Sequence, residues 1–63
     1  MTYDEAIELV KGWPEDRTVP RKLAVAISEA PDEDVAAMAQ LVEALTVAAD
    51  TPTDFELIEK YFD

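Results

Sequence analysis

Asp32-Glu33-Asp34-Val35-Ala36-Ala37-Met38-Ala39-Gln40-Leu41-Val42-Glu43-Ala44-Leu45-Thr46-Val47-Ala48-Ala49 lies between Pro31 and the break Asp50-Thr51-Pro52. Val35, Met38, Val42, Leu45 and Ala49 fall at alternating three- and four-residue steps, and Leu41 and Ala48 widen the stripe. That is the period of a helix with one buried face. The three acidic residues at its head complement the positive end of the helix macrodipole. The spacing predicts a long helix over 32–49 at the centre of an all-helical core.

The same punctuation divides the chain on either side. Toward the N-terminus, Leu23, Ala26, Ile27 and Ala30 form the inward face of a helix over 20–30 that Pro31 ends. Pro20 suits a first helical position, whereas Val19, preceding it, disfavours the helical region. Glu15 to Val19 is therefore expected to be a connection. A first helix over 3–11 carries Tyr3, Ala6, Ile7 and Val10 and starts from a capping box between Thr2 and Glu5. Gly12 is placed to close it in a left-handed Schellman stop, with Trp13 folding back on Ile7. Beyond Pro52, Thr53 and Glu56 form a second predicted capping box for a helix over 54–62. Its apolar face is Phe55, Ile58, Tyr61 and Phe62. No segment reads as a strand. The expectation is one domain, residues 1–63, all-α, a small bundle of four short helices with roughly antiparallel neighbours.

Composition removes whole classes of chemistry. There are 63 residues, no Cys, no His and a single Gly. A chain of this length buries only about 60% of its unfolded surface, and it lacks disulfides and the Cys or His ligands of structural zinc. Without His there is no Ser-His nucleophile and no general base whose unperturbed pKa lies near neutrality. The expectation is a non-enzyme with no cofactor. Asp32, Asp34 and Glu43 match positions one, three and twelve of a calcium loop, but positions five and six are Ala36 and Ala37, where a ligand and a glycine are needed. That segment reads as helix. Met1-Thr2-Tyr3-Asp4-Glu5 lacks a signal-peptide pattern and no apolar run reaches the ~20 residues of a membrane span. A cytoplasmic, membrane-free protein is expected.

Charge is the most informative feature. Fifteen Asp and Glu face five Lys and Arg, a formal net charge of −10, in a chain that is 49% apolar and so reads as folded. Lys11, Arg17, Arg21 and Lys22 cluster early, and from Leu23 to Glu59 there is no basic residue. Such a surface keeps a small apolar domain in solution, above all in a salt-rich cytoplasm. It also suits docking on a basic protein surface, where carboxylates on rigid helices imitate phosphates, as in small inhibitors and anti-defence proteins. The candidate partner-binding residues are Asp32, Glu33, Asp34, Glu43, Asp54 and Glu56. Direct DNA binding is not expected of a −10 chain, and a homo-oligomer is left open. Trp13, Tyr61 and Phe62 are read as closing the bundle, the alternative being an exposed interface anchor.

Asp16-Arg17-Thr18-Val19-Pro20-Arg21 resembles the signature of UPF0147, a small archaeal all-helical family of uncharacterised function. The similarity continues through Asp34-Val35-Ala36-Ala37 and the Asp50-x-Pro52 break. Members carry basic residues after that proline, where this chain has Thr53-Asp54. The resemblance implies an all-α bundle of archaeal or archaeal-virus origin and brings no activity or cofactor. It frames the alternative function: a housekeeping domain whose acidity serves solubility in high salt, held in a ribonucleoprotein assembly through Arg17, Arg21 and Lys22.

Overall fold

The computed structural model describes residues 1–62. It contains four helices, α1 (Tyr3–Val10), α2 (Val19–Glu29), α3 (Asp32–Ala48) and α4 (Pro52–Phe62), and no strand among the described residues. α1 and α4 each pack against both α2 and α3 and do not touch one another, so α2 shares the central place with α3. The radius of gyration is 10.7 Å, against about 10.6 Å for a compact domain of this length. A charge of −10 has not prevented full collapse. Among the described residues no helix is long and apolar enough to cross a membrane.

The core is one cluster to which every helix contributes. Ala6, Trp13, Val19, Leu23, Met38, Leu45 and Ile58 are buried against one another. Met38 and Leu45 belong to the α3 stripe, and Leu41, Val42 and Ala49 pack around them at the margin. Ala48, expected to widen the stripe, is exposed. In α1 the buried side is Ala6 with Leu9 and Val10, while Tyr3 is turned toward solvent.

Three helix ends follow from local chemistry. At α1 the capping box forms as expected: the Glu5 amide donates to Thr2 Oγ1 at 3.2 Å and the Thr2 amide to Glu5 Oε1 at 3.0 Å. The Thr2 amide and hydroxyl hold the Glu5 carboxyl below its ordinary value. α2 starts at Val19, one residue earlier than expected. Asp16 Oδ1 accepts from the Thr18 amide (2.9 Å) and hydroxyl (2.6 Å), and the Val19 amide closes on the Asp16 carbonyl. Turning there drops Val19 into full burial, and Pro20 then sits in a first turn whose amides need no helical partner. α2 ends at Glu29, and Ala30 is extended ahead of Pro31.

Gly12 does not behave as the Schellman residue. No glycine has positive φ, and the C-cap is Lys11 in right-handed geometry. The Gly12 amide donates to the Leu9 carbonyl and the Trp13 amide to that of Val10, so α1 tightens into short-range turns. The chain leaves α1 through these turns, and the Trp13 indole is delivered to α3, where it bonds to the Leu45 carbonyl, rather than folded back on Ile7. The Trp13–Pro14 peptide bond is cis. A Cβ built on Gly12 would meet only ordinary contacts at 3.5 Å. Gly12→Ala is therefore expected to stabilise the fold by about 0.4–1 kcal/mol, by narrowing the unfolded ensemble. A thermal melt showing a loss instead would mean that the glycine serves a conformation an L-residue resists.

Candidate functional site

Of the six carboxylates expected to meet a partner, five lie where a partner can reach them. Asp32 and Glu33 are exposed on the first turn of α3, and Asp34 beside them is half-buried. Glu43 is exposed eleven residues beyond Asp32, three helical turns, which brings it back to the same side of α3 about 16 Å along the axis. Glu56 is exposed on α4. None of the five side chains makes an ion pair or a side-chain hydrogen bond among the described residues. No three of the acidic groups converge to hold a metal among those residues either.

Asp54 is the correction. It is 3% exposed and, among the described residues, the one buried charged side chain. Its Oδ2 accepts from the amides of Asp50 (2.8 Å) and Thr51 (3.2 Å), and its Oδ1 from Nη1 of Arg17. The Asp54 amide in turn donates to Thr51 Oγ1 at 3.3 Å. Thr51 and Asp54 thus form the reciprocal cap expected of Thr53 and Glu56, two residues earlier. The signal was present in the sequence: Pro52 is best placed as the first helical residue, which makes Thr51 the N-cap. The shift also turns the α4 face. Asp54, Leu57 and Ile58 come inward, while Phe55 is left 43% exposed.

The Asp54 carboxyl is held down at about 2, first by the Asp50 amide and then by the Arg17 guanidinium. It is ionised at any physiological pH and has its acceptors occupied, so it is unfit both as a general acid and as a docking charge. Arg17 is equally committed. Its Nη1 also donates to the Pro14 carbonyl at 3.3 Å, and its guanidinium carbon stands 5.0 Å from the Trp13 ring centroid. Trp13, 5% exposed, donates from Nε1 to the Leu45 carbonyl at 3.0 Å. That carbonyl lies in the last turn of α3, where the Ala49 amide bonds to Thr46 instead. The indole therefore satisfies an orphan acceptor at a helix end. Asp54, Arg17, Trp13 and Leu45 form one continuous tie from the start of α4, through the α1–α2 connection, to the end of α3.

The run Asp16-Arg17-Thr18-Val19-Pro20 consequently has a structural task at each position: a turn acceptor, a clamp cation, a turn donor, a core side chain and a helix start. Tyr61 and Phe62 are half-buried, and Phe62 packs on the core. No family model matches the chain, and no curated protein and no solved structure matches it significantly.

Proposed function

We propose that the chain is a non-enzymatic interaction module whose exposed carboxylates on α3 and α4 dock on a basic protein surface, in the manner of an inhibitor that occupies a nucleic-acid site. The observation that carries this reading is the uncompensated state of Asp32, Glu33, Glu43 and Glu56. They project from packed helices, lack any cation partner among the described residues, and stand in a stretch, Leu23 to Glu59, that has no basic residue. Rigid, unpaired charge is what electrostatic steering requires, because no internal pair must be broken on contact. Among the described residues the one carboxyl with a strongly shifted pKa is already bound within the fold, which favours binding over catalysis.

The test is capture from nuclease-treated lysate with stepwise salt elution, using the wild-type chain beside a variant combining Asp32→Asn, Glu33→Gln, Glu43→Gln and Glu56→Gln. The expected result is one basic protein retained stoichiometrically by the wild type, released by moderate salt, and absent from the variant. Equal retention by both, or ribosomal material captured from a parallel untreated lysate that disappears with nuclease, would refute the reading. The latter would favour the alternative of an acid-rich housekeeping domain with Arg21 and Lys22 as its contacts.

A further inference from the structure

Of the five basic residues, Lys11 is paired with Glu8, Arg17 with Asp54, and Lys60 lies over the Tyr61 ring at 5.4 Å. Arg21 and Lys22 have no ion pair among the described residues. Both are exposed on α2, where with Val25, Ala26, Glu29 and Met1 they line an open cavity of about 310 Å³. Val25 is 50% and Met1 54% exposed there. The charges are arranged so that α2 cannot neutralise itself. Helical partners sit three or four residues apart, yet the residues at those distances after Arg21 and before Glu29 are Ala24, Val25 and Ala26. Lys22 adds only a minor pull on Asp16, behind the Thr18 hydrogen bonds. Arg21 and Glu29 are about 12 Å apart along the axis, beyond a direct pair.

The pattern cation, apolar, anion at positions 21, 25 and 29 is self-complementary. We infer that this face of α2 docks on a second copy of the chain, with the two α2 helices antiparallel about a two-fold axis at Val25. That axis sets residue 21 opposite residue 29 of the other copy, twice, and places Val25 against its counterpart. An isologous contact has this reciprocity. Val25 is small enough to let the helix axes approach to the usual ~8–10 Å, and Ala26 beside it is already buried in the fold. A single helix face is a small interface, so the association is of the weak, low-area kind. It rests on the residues of α2 alone and stands independently of the proposed acidic docking.

Sedimentation equilibrium of the full chain, from about 10 μM to about 1 mM, reads the result directly. Ionic strength of about 0.15 M limits the mutual repulsion of two −10 chains to a range of about 8 Å. The wild type is expected to move from monomer toward dimer mass with concentration. Val25→Glu should weaken association by at least about tenfold. Arg21→Glu and Glu29→Arg should each weaken it, and the two together in one chain should restore it. All three positions are exposed, and circular dichroism checks that each variant is folded. A wild type that stays monomeric throughout, a dimer indifferent to Val25→Glu, or charge reversals that fail to compensate would each overturn the proposal.

Discussion

Trp13→Ala is expected to leave the chain without a cooperative thermal transition at 25 °C. Removing a buried indole typically costs about 3–5 kcal/mol, and a single small core rarely supplies more than that in total. Trp13 is central in three ways. It fills the space between the α1 exit and α3, carries Arg17 on its ring, and satisfies the Leu45 carbonyl. Trp13→Phe separates the first of these from the last. It keeps an aromatic ring in the core but removes the Nε1 donor, leaving a buried carbonyl unpaired at a cost of about 1–3 kcal/mol. In a domain of this size each kcal/mol lowers the melting temperature by about 4–8 °C. Thermal melts by far-ultraviolet circular dichroism should therefore rank wild type above Trp13→Phe above an unfolded Trp13→Ala. A Trp13→Phe variant as stable as the wild type would show that the indole hydrogen bond contributes nothing.

The second large effect is an acid-dependent one. The Asp54 carboxyl sits at about 2 in the fold against an ordinary 3.8, lowered first by the Asp50 amide and then by Arg17. A carboxyl more acidic in the folded than in the unfolded chain stabilises the fold above the unfolded value. That contribution is lost as pH falls from near 4 through 2. Over the range above it the trend is opposite, because approach to the isoelectric point of about 4.1 relieves self-repulsion. The wild-type melting temperature is thus expected to hold or rise from pH 7 to about 4–5 and then drop steeply. Asp54→Asn should melt lower at neutral pH, and its gap from the wild type should close over most of the interval from pH 4 to 2. A gap of constant size down to pH 2 would show that the ionised carboxylate is not what the fold uses.

Both effects arise from contacts that periodicity does not encode. The four helices could be read from Pro14, Pro20, Pro31 and Pro52 and from apolar spacing, and their ends fall within two residues of expectation. The α3 stripe through Met38 and Leu45 was legible because one helix face is a local property of sequence. The Arg17–Asp54 and Trp13–Leu45 contacts join residues 37 and 32 apart, and nothing local to either member announces the other. Asp54 could have been suspected from Pro52 alone, since a proline at the first helical position sets the cap at Thr51. Its sequence neighbours Phe55 and Glu56 suggested an apolar face and an acidic one, and the fold instead took the aspartate inward and left Phe55 at the rim. Asp32, Glu33, Glu43 and Glu56 are exposed, as surface charge is the default for such residues. What they meet was not written there.

The carboxylates divide into two kinds: Asp54 ties the helices together, and Asp32, Glu33, Glu43 and Glu56 stand exposed and unpaired among the described residues. The direct measurement is a pair of thermal melts at pH 7, Asp54→Asn against the combined variant Asp32→Asn, Glu33→Gln, Glu43→Gln and Glu56→Gln. The expected result is a drop on the order of 10 °C for the single substitution, with the fourfold variant within a few degrees of wild type. A fourfold variant that unfolds while Asp54→Asn melts like the wild type would contradict it.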